Sequence, residues 1–171
     1  KANLGDATIS GLEIEMSAIL TERLSVSVNV GLLDDEIDTL KGTLVSNTVV
    51  IDKSNDLPNT PDWTLSLMAK YEMPLASGAR LSLRADYAMK DDYYSRAENI
   101  EELLIDDYRN LNLAATYFSA DNKWEVTAGA RNATDEMYYQ SATPFATFGL
   151  SFGQPVRPRH YYGSITYNFG D

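Results

Sequence analysis

The stretch Arg159-His160-Tyr161-Tyr162-Gly163-Ser164-Ile165-Thr166-Tyr167-Asn168-Phe169 decides how this chain is read. Tyr161, Gly163, Ile165, Tyr167 and Phe169 fall at one parity, and His160, Tyr162, Ser164, Thr166 and Asn168 at the other. Side chains of a strand point to opposite faces with period two, so one face is aromatic and apolar and the other polar. A water-soluble sheet would cover the apolar face with a second layer. In a membrane barrel that face meets lipid, with Tyr and Phe at headgroup level and polar groups turned to the lumen.

The same alternation recurs upstream. Leu12, Ile14, Met16, Ala18 and Leu20 oppose Gly11, Glu13, Glu15 and Ser17 in a strand from about Asp6 to Leu20. After Thr21-Glu22-Arg23-Leu24 come Val26, Val28, Val30 and Leu32, then Trp63, Leu65, Leu67, Ala69 and Tyr71. Leu81, Leu83, Ala85 and Tyr87 mark a fourth strand, and Leu111, Leu113, Ala115 and Tyr117 a fifth. Trp124, Val126, Ala128 and Ala130 mark a sixth, and the terminal stretch is the seventh. No segment carries a 3.6 period, although Glu98 to Asp107 fits a helical turn within a loop. The fold class is all-β: about seven antiparallel up-and-down strands of a transmembrane β-barrel, a partial barrel.

The connections sort by length. Those after Leu20, Tyr71 and Phe118 are a few residues long, whereas those from about Asp38 to Asn59, Tyr93 to Asp107 and Tyr138 to Pro155 are long. Up-and-down strands place all short turns at one end and all long loops at the other, the asymmetry of outer-membrane barrels. A β-sandwich with Greek-key crossings mixes them. Tyr71, Tyr117, Trp124, Tyr167 and Phe169 fall beside the short turns on the apolar parity. They suit an interfacial girdle, though β-propensity also enriches Tyr and Trp in any sheet. The polar parity holds Glu13, Glu15, Lys70, Glu72, Arg84, Asp86, Lys90, Glu125 and Arg131. Such mixed charge suits a wet or plugged lumen, because a dry core would exact a large desolvation cost for each unpaired charge.

Composition narrows the function classes. Of 171 residues, 25 are acidic and 14 basic, a net charge of −11. Phosphate binding needs a basic surface, so nucleic acid is excluded as a partner. The chain has no cysteine, which removes disulfides and thiolate metal sites. No run approaches the roughly 18 apolar residues of a spanning helix. The opening Lys1-Ala2-Asn3-Leu4 is neither a start methionine nor a signal peptide, and it reads as a piece of something longer. No nucleophile elbow, catalytic triad spacing or phosphate loop is present, so an enzyme is not expected. His160 is the only histidine and has no ligand-spaced partner. The acidic runs Asp34-Asp35-Glu36-Asp38 and Glu98 to Asp107 read either as solvated loop charge or as carboxylates for a hard cation, without EF-hand spacing.

Several segments then resemble the C-terminal part of TonB-dependent outer-membrane receptors. Gly11-Leu12-Glu13-Ile14-Glu15 is similar to a G-x-E-x-E strand of that family, and Asn59-Thr60-Pro61-Asp62-Trp63-Thr64 to its N-x-P-x-x-T/S segment. Asp86-Tyr87 with Tyr93-Tyr94, Tyr108 to Asn112, Asn132 to Tyr138, and Pro158-Arg159 follow in the family's order. Two features depart from the pattern. Gly170 and Asp171 follow the aromatic Phe169, and about seven strands stand where the family has about 22 around a plug.

The resemblance implies that residues 1–171 are the C-terminal portion of the barrel, with the plug outside this chain. It implies active uptake of a scarce nutrient, foremost a ferric siderophore or similar iron complex, energised by the TonB system. The implied partners are outer-membrane lipid, the rest of the barrel and plug, the TonB energy-coupling complex and the small-molecule ligand; no cofactor is implied. The loop residues to contact ligand are Tyr93, Tyr94, Arg96, Tyr139, Phe145, Phe148 and Phe152, aromatics beside a cation that could stack on a planar, negatively charged chelate. The same residues also suit packing between loops. Two other readings stay open. One is a self-contained eight-stranded outer-membrane barrel with a structural or adhesive role, its eighth strand near Thr43 to Ile51. The other is a soluble β-rich carbohydrate-binding module.

Overall fold

The computed structural model describes residues 5–41, 44–46, 49–145 and 150–169. In chain order the strands are β1 (Gly5–Thr21), β2 (Leu24–Leu40), β3 (Leu44–Ser46), β4 (Val49–Ile51), β5 (Trp63–Pro74), β6 (Arg80–Lys90) and β7 (Tyr93–Tyr94). There follow β8 (Leu104–Ile105), β9 (Tyr108–Phe118), β10 (Trp124–Arg131), β11 (Tyr139–Phe145), β12 (Leu150–Pro155) and β13 (His160–Tyr167). A single 3₁₀ turn at Glu101–Leu103 precedes β8, within the stretch expected to hold a helical turn.

Seven strands form one antiparallel sheet in the order β1-β2-β5-β6-β9-β10-β13. Each joins its neighbour in sequence order, as up-and-down connection requires. The remaining strands pair off as two-stranded ribbons, β3-β4, β7-β8 and β11-β12, inside the long loops. The Thr43 to Ile51 segment therefore adds no eighth strand to the sheet. Its described residues form the β3-β4 ribbon instead. Among the described residues β1 and β13 do not pair with each other, so the sheet is open.

The register carries the alternation from strand to strand. Directly opposed residues share a face, and two outward rows follow, one over five strands and the next across all seven. Met16, Val28, Leu67, Tyr87 and Leu111 form one row. Ala18, Val26, Ala69, Ala85, Leu113, Ala130 and Tyr161 form the next. The intervening inward row reads Ser17, Ser27, Met68, Asp86 and Asn112. A one-residue slip would put polar groups among the outward apolar ones, and on β1, β5, β6 and β10 it would put charge there, so the apolar face fixes the register.

Three tight turns close the hairpins at one end. The Thr21 hydroxyl accepts from the Arg23 and Leu24 amides at 3.2 and 3.0 Å. Gly78 adopts φ +84°, a left-handed conformation that favours glycine, where the chain folds back onto Leu75. In the third, the Trp124 amide donates to the Ser119 hydroxyl at 2.9 Å, and Asn122 takes the left-handed position. Trp124 and Tyr167 meet beside this turn with ring centroids 4.7 Å apart, and Tyr167 meets Phe169 edge-on at 4.7 Å. Of the five aromatic residues expected at the short-turn end, Trp124, Tyr167 and Phe169 meet there.

The long-loop end differs. Leu103 and Ile105 are completely buried and, with Ala142, form a small core against which Tyr93 and Ile100 pack. No second layer of described residues covers the outward rows of the sheet. Among the described residues, buried apolar side chains elsewhere are those of Ile37 and Ala79.

Candidate functional site

The inward face of the sheet is a charged wall. Lys70 and Arg84 stand directly opposite each other on β5 and β6. Each is held by a carboxylate two residues along its own strand: Lys70 Nζ to Glu72 at 2.7 Å, and Arg84 bidentate to Asp86 at 2.7 to 3.0 Å. Pairing within a strand lets two cations sit opposite one another without mutual exposure. Tyr162 lies over Gly129, whose missing side chain leaves room for the ring; a Cβ there would meet the phenol carbons at about 2.5 Å. Arg131 approaches the same ring at 5.5 Å. Among the described residues no apolar core lies against this wall.

Towards the long loops the inward face turns aromatic. Tyr108 and Tyr138 stack in parallel, centroids 4.1 Å apart, and the Tyr138 hydroxyl accepts from Asn110 at 3.4 Å. Lys90 places its ammonium over the Tyr93 ring at 3.8 Å, and the Tyr93 hydroxyl donates to the Gln140 carbonyl. Burial raises the Tyr93 phenol above its ordinary value, so it stays protonated as a donor. Sequence reading missed Lys90, Tyr108 and Tyr138 as a group. Their inward parity was legible for Lys90, but the Tyr108–Tyr138 stack joins residues 30 apart and leaves no local pattern.

The residues expected to contact ligand fall into three groups. Tyr93 is drawn into the loop core and the Gln140 contact, so packing claims most of it. Tyr94 offers its carbonyl to the Asn59 amide at 2.9 Å, and Arg96 offers its carbonyl to Asn99. Tyr139, Phe145 and Phe152 belong to the β11-β12 hairpin. Tyr139 covers Gly153, while Phe145 and Phe152 meet edge-to-face at 5.6 Å with both rings about half exposed. Phe148 lies outside the described residues.

Tyr93 and Tyr94 also line a small cavity of about 90 Å³ together with Asp56, Asp62, Asp91 and Asp92. No cation lines it. The Asp56 carboxyl is pushed up by burial and by Asp35 and Asp62 nearby, and that of Asp92 by burial and Asp91. Among the described residues no group of three or more histidine, aspartate or glutamate side chains is arranged to hold a metal ion.

The loops are tied to one another. Asn99 donates to the Asp56 carbonyl at 3.1 Å and accepts from the Asp56 amide at 2.6 Å, copying a strand pair with its side-chain amide. Asn55 reaches the Ala97 carbonyl at 2.9 Å, and Asp35 accepts from the Leu57 amide at 2.6 Å. The Ser95 hydroxyl lies 2.9 and 3.2 Å from the Leu103 and Ala142 carbonyls. At the base of the last loop, buried Asn132 spans three backbone positions. It donates to the Glu136 and Arg157 carbonyls at 2.8 and 3.2 Å and accepts from the Glu136 amide at 2.9 Å. Asp135 then accepts from the Arg159 amide at 2.8 Å, which joins the end of β10 to the start of β13.

Comparison with known proteins agrees with this geometry. Residues 1–133 match the family described as TonB dependent receptor-like, beta-barrel. Among solved structures, the ferric yersiniabactin uptake receptor of Yersinia pestis is similar over 95% of this chain and 23% of its own, at 17% identity and a TM-score of 0.77. The siderophore receptor PiuA of Acinetobacter baumannii is similar over 95% of this chain and 22% of its own, at 18% identity and 0.75. The ferripyoverdine receptor of Pseudomonas aeruginosa, bound to ferripyoverdine, is similar over 94% and 19%, at 22% identity and 0.66. At these identities the likeness establishes the fold. The chain spans about a fifth to a quarter of the length of these structures.

Proposed function

The chain belongs to the TonB dependent receptor-like β-barrel family, and from that premise we propose that it is the C-terminal portion of a receptor that imports a scarce nutrient as a metal chelate, foremost a ferric siderophore. The family's members sit in the bacterial outer membrane and are receptors and transporters, not enzymes. On this reading residues 1–171 close one side of a larger barrel, the plug lies elsewhere in the polypeptide, and the TonB complex supplies the energy.

One observation carries the reading: an outward apolar row crosses all seven strands with no covering layer among the described residues, over an inward wall of paired charges. Lipid outside and an aqueous, plugged lumen inside satisfy both faces at once. Neither rival gains support. The open sheet lacks the closure of a self-contained small barrel, and a soluble module would leave Met16, Ile165 and Tyr161 in water.

The chelate would be met by the long-loop end, where Lys90, Tyr93, Tyr108 and Tyr138 face the mouth and Phe145 and Phe152 stand on the hairpin above. The test is iron-restricted growth of the source bacterium on ferric chelates, with the gene intact, deleted, or intact in a cell lacking TonB. The reading expects loss of growth on at least one chelate in both altered strains. Growth unchanged on every chelate in the deletion strain contradicts it.

A further inference from the structure

We infer that the exposed aromatic edge of the β11-β12 hairpin is a pre-formed docking ledge, and that the chelate it accepts is uncharged or positively charged, not anionic. This inference rests on the receptor reading above and concerns the chemistry of that same mouth.

The ledge is built before any ligand arrives. Phe145 and Phe152 hold each other edge-to-face, and Leu150, opposite Phe145, extends the apolar patch. The other side of the hairpin is anchored: Ala142 is buried against Leu103 and Ile105, and the Ala142 and Gln140 carbonyls receive Ser95 and Tyr93. One face is thus committed to the loop core while the opposite face presents aromatic rings to water. Rigid aromatic surface of this kind binds with little further ordering cost.

Charge decides what the ledge accepts. Residues 34–62, 91–107 and 132–159, which make up the long-loop end, hold sixteen of the 25 acidic residues and five of the 14 basic ones. That balance is −11, the net charge of the whole chain, so the rest of the chain is neutral. At physiological salt the screening length is roughly 8 Å. The potential over the ledge is therefore set chiefly by the loop packed against it, residues 91–107, which hold seven acidic residues and one basic one. Two cations near this end are already engaged, Lys90 with the Tyr93 ring and Arg159 with Asp135 at 3.7 Å. The cavity under Tyr93 and Tyr94 shows four aspartates and no cation. An anionic chelate on this surface would be repelled by the loops, whereas a cationic one would be drawn in. This inference departs from the expectation from sequence, in which a loop cation would hold a negative chelate.

The test uses the full-length receptor purified in detergent and three ferric chelates of similar size. They are a trihydroxamate with one free ammonium arm, an uncharged trihydroxamate, and a tricatecholate carrying three net negative charges. Binding is measured by quenching of intrinsic fluorescence at low and physiological salt. The expected order is ammonium-bearing, then uncharged, then tricatecholate, with only the first weakened by added salt. Phe145→Ser with Phe152→Ser should weaken the favoured chelate about tenfold or more. Phe152→Leu, which keeps the patch apolar, should weaken it less. Asp91→Asn with Asp92→Asn, Asp106→Asn and Asp107→Asn should narrow the gap between the first and third chelates. Heat-dependent gel migration verifies that each variant barrel is folded, and the single Phe145→Ser replaces any double variant that is not. If the tricatecholate binds tightest, or the Phe variants change nothing, the receptor reading survives and this inference is overturned. If no chelate of any charge binds, both fall.

Discussion

Ile14, Met16 and Ile165 in the sheet are more than half exposed, whereas Leu103 and Ile105 in the loops above it are 0% and 1% exposed. The loops hide apolar groups under their own residues because they stand in water. The sheet leaves an apolar face bare, and hydrocarbon supplies the missing layer. Two solvents have shaped one chain, and the boundary runs through the strand ends at Trp63, Lys90 and Tyr108. The two ends differ as sharply in charge. Short turns are held by Thr21, Gly78 and Ser119 through local contacts, while the acidic loops are held by contacts between residues far apart in sequence, such as Asn99 with Asp56.

The contrast can be broken most forcefully from the outward face. In the full-length protein reconstituted in lipid, Met16→Arg should destabilise the barrel by about 2–4 kcal/mol, the cost of a cation near the bilayer midplane. Ser17→Arg, one residue away on the inward face, should cost far less. Denaturant titration in vesicles reads both; equal effects would mean that the two faces meet the same solvent. Next comes Leu103→Ala, expected to cost the loop assembly about 2–4 kcal/mol through the cavity it leaves. Hydrogen exchange should show residues 93–105 and 139–145 losing protection while β5, β6 and β9 keep theirs. Loss of protection throughout the sheet would show that the loops have no core of their own. Asn132→Ala strips three hydrogen bonds from a buried position and should cost about 1–3 kcal/mol, seen as faster exchange at Glu136 and Arg159.

The smallest effect is one of pH. Asp56 and Asp92 are held above the ordinary carboxylate value in the folded loops. Their contribution is therefore fully present below that ordinary value and is lost as pH rises through the raised values. Asp52, held low by Ser54, works the other way: its contribution is present above the ordinary value and fades as pH falls through the lowered one. Exchange corrected for intrinsic rate should accelerate around Asp56 and Asp92 as pH climbs from the ordinary carboxylate range towards neutral. Slower exchange over that interval would contradict the assignment.

The sheet was legible because period two is a local signal. Met16 and Ser17 announce opposite faces without reference to any other strand, and the register then follows from matching those faces. Strand ends were less so: β2 continues to Leu40, past the Asp38 where the alternation stops being apolar. The β7-β8 and β11-β12 loop ribbons escaped notice for a different reason. Tyr93–Tyr94 and Leu104–Ile105 are too short for a period, and Tyr139–Phe145 contains Pro144, which reads as a strand breaker. At the candidate site, the aromatic residues were visible but their division of labour was not. Nothing near Tyr93 in sequence says that Lys90 lies over its ring or that the Gln140 carbonyl accepts a hydrogen bond from its hydroxyl. The motif residues Asn132, Asp135 and Arg159 were recognisable by order alone, and their shared task of closing the last loop appears only when β10 and β13 are brought side by side.

The most direct test of lipid contact exploits the absence of cysteine from the chain. Nitroxide labels placed one at a time through Met16→Cys, Ser17→Cys, Ala18→Cys, Leu67→Cys and Met68→Cys, in the full-length protein in vesicles, report collision with oxygen or with a water-soluble nickel chelate. Labels at 16, 18 and 67 should favour oxygen, which concentrates in hydrocarbon, and labels at 17 and 68 should not. Oxygen accessibility without that two-residue alternation, or an outward row shielded from oxygen altogether, would contradict it.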